Sequence, residues 1–141
     1  MNLSSNVKIT KVKDHSTAAT SAVTSTEVDM LGYEGVLFVT SFGTAAVNNT
    51  IKAQQDTATG MGSAADLTGT SVVPGASDED VWIDVYKPLE RFVRVVIARG
   101  TSSTLESIWA IQYGARKSPI DNTTTGTIAG ELHVTPAEGT A

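Results

Sequence analysis

Residues 80–86 read Asp-Val-Trp-Ile-Asp-Val-Tyr, and this alternation sets the terms for the whole chain. Successive side chains of a strand point to opposite faces, so Val81, Ile83 and Val85 are expected inward and Trp82, Asp84 and Tyr86 on the other face. The same period recurs in Val7-Lys8-Ile9-Thr10-Lys11-Val12, a half-buried or edge strand with Val7, Ile9 and Lys11 on one face. It recurs in 24–30, in 50–55, and in 105–115, where Ile108, Ala110 and Gln112 oppose Trp109, Ile111 and Tyr113. Gly35–Phe42 is almost continuously apolar, which predicts a central strand buried on both faces; Arg91–Arg99 is a second such run. Apolar residues at i, i+3, i+4 and i+7 never recur without Gly, Pro or dense β-branching between them, so helices are not expected.

Turn signals separate these runs: Leu31–Gly35, Gly43–Asn49, Pro74–Asp80, Lys87–Glu90 and Gly100–Thr104. His15–Ala22 reads as a loop and Asp56–Gly62 as an exposed, mobile excursion. Leu67 and Val72-Val73 make one short strand interrupted by Gly69. Strands recurring at roughly 8–15 residues predict an all-β fold, an antiparallel β-sandwich of jelly-roll type. Its expected core is Val36, Phe38, Ile83, Val85, Phe92, Val95, Ile97, Ile111 and Tyr113. The sandwich spans residues 7–118. Residues 1–6 are expected to form an N-terminal arm and 119–141 an extended C-terminal arm, because neither holds enough bulky apolar side chains to fold alone. An extended segment with unpaired N–H and C=O groups gains by joining a sheet edge, so the C-terminal arm is expected to contact another copy or another protein.

The chain has 141 residues and a net charge of −5. That length is one ordinary domain. Charged residues are 18% of it, below the usual share of about 25%, and 20 Thr and 13 Ser supply the polarity instead. The few Lys and Arg are dispersed, so direct binding to a nucleic acid polyanion is not expected. The chain has no cysteine, which removes disulfides, thiolate metal sites and a Cys nucleophile from consideration. Met1 to Lys13 holds no apolar run of signal-peptide type, and no stretch approaches the ~20 apolar residues of a membrane helix. The expectation is a soluble protein made in the cytoplasm, with no membrane partner.

Catalysis needs a nucleophile, a base or a metal cluster. The two histidines, His15 and His133, fall in a loop and in the C-terminal arm and read as solvated. Asp78, Glu79 and Asp80 follow Pro-Gly, with Asp84 beyond. Their bland reading is a loop tip; the alternatives are a carboxylate pair for glycoside hydrolysis or a weak calcium site. No phosphate loop, nucleophile elbow or dinucleotide fingerprint occurs. Neither enzymatic activity nor a cofactor is expected. Trp82 and Tyr86 share a strand face and suit either a sugar platform or a protein interface. Arg91 and Arg94 are candidates for salt bridges across the same interface. The candidate interface set is therefore Trp82, Asp84, Tyr86, Arg91 and Arg94.

Three blocks carry a resemblance. Val28-Asp29-Met30-Leu31-Gly32-Tyr33-Glu34-Gly35-Val36-Leu37-Phe38 resembles a strand-turn-strand block of small virion proteins of tailed bacteriophages. Asp84-Val85-Tyr86-Lys87-Pro88-Leu89-Glu90-Arg91-Phe92-Val93-Arg94 resembles a second block of theirs, and Ile111-Gln112-Tyr113-Gly114-Ala115-Arg116-Lys117 their closing strand. Lys52-Ala53-Gln54-Gln55-Asp56 sits where those proteins carry a strand ending in a polar turn. The match spans roughly residues 7–118 and leaves the C-terminal arm unaligned. Such proteins are capsid decoration or cement proteins. The resemblance implies a homodimer or homotrimer on the virion surface that binds the major capsid protein outside the head, bridges capsomers and is made in the host cytoplasm. A carbohydrate-binding or adhesin module and a head-completion or tail protein are the other readings.

Overall fold

The computed structural model describes residues 2–140. These hold eleven strands and no helix: β1 (Lys8–Lys13), β2 (Ser16–Ala19), β3 (Val23–Thr24), β4 (Val28–Asp29), β5 (Gly35–Phe42), β6 (Asn49–Asp56), β7 (Ala65–Asp66), β8 (Glu79–Tyr86), β9 (Phe92–Arg99), β10 (Ser103–Leu105) and β11 (Ile108–Tyr113). All pairings are antiparallel and fall into two sheets. The chain is an antiparallel β-sandwich.

In the first sheet β5 is central. β8 pairs along its whole length on one side, and β11 and then β10 on the other; β1 lies beyond β11 and β2 beyond β10. In the second sheet β9 pairs with β6 on one side and with β3 and β4 on the other, while β7 lies beyond β6. β1 and β2, β3 and β4, and β10 and β11 are each one bent run. Counted so, every connection except β6 to β7 passes from one sheet to the other.

The core is the space between the sheets. Val36, Phe38, Ile83, Val85, Val95 and Ile97 are buried there as the alternation predicts, with Phe42, Ile51, Leu105 and Ile108 beside them. Burying each large apolar side chain contributes about 1.5–3 kcal/mol. Three expected core residues lie elsewhere: Phe92, Ile111 and Tyr113 are half-buried and point outward. In β9 the inward phase is Val93, Val95 and Ile97, which turns Phe92 out. In β11 it is Ile108, Ala110 and Gln112. Gln112 is tolerated inside because its amide donates to the Asp29 carbonyl at 2.8 Å and approaches the Met30 sulfur.

The inward phase of β9 ends on Arg99, which is 4% exposed. Its Nε donates to the Ser21 carbonyl (2.8 Å), Nη1 to those of Thr17 (2.7 Å) and Ser103 (3.0 Å), and Nη2 to the Ser21 hydroxyl (3.2 Å). The guanidinium thus holds β2, the chain after it and β10 against the end of β9. Residues 15–22, expected as a loop, contain β2, whose Ser, Thr and Ala carry no bulky strand signal. Residues 56–62, expected as an exposed, mobile excursion, form a turn closed onto Asp56 and Ser63. Asp56 accepts from the Ala58 N–H at 3.0 Å and the Ser63 N–H at 2.7 Å, Glu27 accepts from Thr59 and Gly60, and Met61 is buried beneath. Those backbone donors hold both carboxyls below their usual range.

The chain ends are less arm-like than their composition predicts. Residues 3–7 form a turn in which the Leu3 carbonyl accepts from the Asn6 and Val7 N–H groups. The start of the C-terminal segment returns to this turn. Asn122 accepts from the Ile9 N–H (2.7 Å) and donates to the carbonyls of Val7 (2.9 Å) and Ser4 (2.7 Å). This side-chain amide makes the bonds a neighbouring strand would make on the free edge of β1. Thr124 and Ile128 close a small hairpin, and residues 129–140 make no hydrogen bond with the rest of the described chain.

Candidate functional site

β5 departs from the two-sided burial its sequence predicts. Val36, Phe38, Thr40 and Phe42 face the core, whereas Leu37, Val39 and Ser41 on the other face are only half-buried. A continuous apolar run reads the same whether its second face meets the chain's own core or another molecule.

The outer face of the first sheet is built in rows across four strands. Trp82, Val39, Trp109 and Lys11 form one row; Asp84, Leu37, Ile111 and Ile9 the next; Tyr86, Gly35 and Tyr113 the third. Trp82 is 62% exposed and Tyr86 58%. Both tryptophans of the chain and two of its three tyrosines are on this face. The opposite outer face is polar: Lys52 meets Asp66 at 2.6 Å, Gln54 donates to Asp66 at 2.8 Å, and Arg94 donates to Gln54 at 2.9 Å. That second face also carries Phe92 and Val96, both half-buried, whereas the large exposed aromatics Trp82 and Tyr86 stand on the first.

Gly35 shapes the third row. Without a side chain there, the Tyr113 ring lies over β5, stacks near-parallel to Tyr86 with centroids 6.5 Å apart, and donates its hydroxyl to Asp84 Oδ1 at 2.7 Å. Burial and then the bond to the Asp84 carboxylate push the Tyr113 hydroxyl well above the usual tyrosine range. The Lys87 ammonium stands 5.1 Å from the centre of the Tyr86 ring.

Trp82, Asp84 and Tyr86 therefore share a face as the alternation predicts. Arg91 and Arg94, expected beside them, lie off this face. Arg91 ends the turn just before β9 and makes a two-pronged bond to Asp29 at 2.8 and 2.7 Å, while Arg94 belongs to the outer face of the second sheet. β8 and β9 are consecutive in the chain but lie in different sheets, so nearness in sequence misleads. The reading missed Ile9, Leu37, Val39, Trp109, Ile111 and Tyr113. The signal for the last three was their own period of two, opposite Gln112.

The other candidates stay apart. His15 lies 3.5 Å from Glu106, and His133 3.5 Å from Glu131 in the C-terminal segment. Glu79 is occupied closing its own turn, accepting from the N–H groups of Gly75 and Ala76. Among the described residues, no group of three or more His, Asp or Glu is placed to hold a metal ion.

The three blocks of the resemblance meet at one end of the sandwich. The Glu34 N–H donates to the Tyr113 carbonyl (2.9 Å), the Lys87 N–H to the Glu34 carbonyl (2.7 Å) and the Arg116 N–H to the Gly32 carbonyl (2.9 Å). A scan against protein-family models finds no match for the chain, and a search of curated proteins finds none either.

Proposed function

We propose that this chain is a structural virion protein, a decoration or cement protein that binds the outside of a tailed-phage head and bridges capsomers of the major capsid protein. The observation that carries this reading is the outer face of the first sheet, an aromatic surface that the chain leaves open beside a core it fills. The meeting of the three resembling blocks at one end of that face supports it. A shell under internal pressure gains from any protein that binds only its assembled form; at a hundredfold excess over the dissociation constant the gain is about 2.7 kcal/mol per site. A sandwich with an open aromatic face suits that task.

The test is co-sedimentation of the purified chain with genome-free heads that lack it, taken from the phage that encodes it. Saturable binding at a fixed ratio to capsomers, with a higher melting temperature of the heads, is the expected result. No binding overturns the reading. Retention on immobilised glycans that is lost in Trp82→Ala, without binding to heads, replaces it with the carbohydrate-binding reading.

A further inference from the structure

We propose that the outer face of the first sheet is a two-fold interface between copies of this chain, packed face to face so that β8 of each copy lies over β1 of the other. This rests on the reading of that face as a contact surface and names its occupant. It requires nothing of the shell.

The face is apolar at its centre and oppositely charged at its two rims. Leu37, Val39, Trp109 and Ile111 fill the middle; Asp80 and Asp84 stand on the β8 rim and Lys11 on the β1 rim. Four strands about 4.8 Å apart and three rows deep span roughly 400 Å² of face, its charged rims included. Two such faces stack about 10 Å apart with their strands nearly aligned.

A closed face-to-face pair has its two-fold axis in the plane of contact. An axis across the strands lays β8 on β8 and brings Asp80 and Asp84 against their own copies, a like-charge contact that desolvation makes costly. An axis along the strands lays β8 on β1. Lys11 of the second copy then comes over Trp82, whose row it shares. Asp80 and Asp84 lie one pleat to either side of Trp82 on the same face. The ammonium meets an indole flanked by two carboxylates, a cation–π and ion-pair site made twice by symmetry. The present contact of Lys11 is a 2.7 Å bond to Asp14, whose side chain is 81% exposed. With its Asp14 end open to water, and the Lys11 side chain 26% exposed, the pair contributes modestly, and Lys11 can exchange it.

The test is sedimentation equilibrium of the full chain, without heads, with thermal melts confirming that each variant is folded. The expected result is a monomer–dimer equilibrium that Trp82→Ala and Lys11→Glu each weaken about tenfold or more. Lys11→Glu combined with Asp80→Lys restores it. Lys52→Glu on the polar face leaves it unchanged. A monomer at all concentrations up to about 1 mM, a trimer, a dimer indifferent to the first two substitutions, or a double variant no tighter than Lys11→Glu each overturns the proposal. A monomer that still binds heads overturns this interface and leaves the decoration reading standing; a dimer that ignores heads does the reverse.

Discussion

Tyr113 reaches Asp84 across the full width of β5, closing a 2.7 Å hydrogen bond between strands that are not neighbours. It can do so because the residue between is Gly35. A Cβ at this position would overlap the Tyr113 ring. Gly35→Ala should therefore swing Tyr113 off the sheet, breaking its bond to Asp84 and its stack on Tyr86. Alanine is ordinarily the better strand residue by about 0.5–1 kcal/mol. A lower melting temperature for Gly35→Ala is the expected outcome, and a raised one contradicts the account.

The same tyrosine predicts a loss of stability at alkaline pH. Its folded-state pKa is raised by burial and by the Asp84 bond, so the folded chain holds the proton more tightly than the unfolded chain. The contribution is fully present below the unfolded value of about 10 and falls as pH rises beyond it. Denaturant midpoints measured from pH 8 to 11 should decline at the upper end, and decline less in Tyr113→Phe.

Arg99 binds three backbone carbonyls and a hydroxyl. Arg99→Ala leaves the buried Ser103 carbonyl without its donor, at about 1–3 kcal/mol, and removes three part-buried bonds to Thr17 and Ser21, at about 1 kcal/mol each. The expected loss is about 3 kcal/mol or more by chemical denaturation, with β2 and β10 losing amide protection first. A loss under 1 kcal/mol means that the clamp is dispensable.

Phe38 and Phe92 separate the two phases of alternation. Phe38 is fully buried, and its truncation to Ala should cost about 3–5 kcal/mol. Phe92 is half-buried on the outer side of β9, and the same change there should cost less than half as much. Equal losses in thermal melts contradict the register described for β9.

The order and type of the strands were legible because period two is a local property. Val81, Ile83 and Val85 could be placed from seven residues alone. Which face of a strand is inner was legible only where the apolar side chains all fell on one face. In β11 the bulkier residues lie outside and a glutamine inside, so size misassigned Ile111 and Tyr113. β2 was missed because pairing with β10, not its own composition, makes it a strand. The outer face of the first sheet draws on four strands, and no local pattern states that Trp82 and Trp109 flank Val39.

Asn122 divides the C-terminal segment into a tied and a free part. Removing residues 129–141 should leave the melting temperature unchanged. Removing 119–141, or changing Asn122 to Ala, should lower it and speed exchange of the Ile9 amide, at about 1 kcal/mol per hydrogen bond lost. If the shorter deletion destabilises as much as the longer one, Asn122 is not the latch.

Because the two tryptophans of the chain both stand on the outer face of the first sheet, intrinsic fluorescence reports on that face alone. The most direct measurement is acrylamide quenching of the tryptophan emission, followed from dilute to concentrated protein and then on decorated heads. The account predicts exposed, readily quenched, red-shifted emission at the lowest concentrations, passing to protected, blue-shifted emission as copies associate and remaining so on the shell. Emission that stays exposed and equally quenchable under all three conditions means that nothing covers the face, and contradicts it.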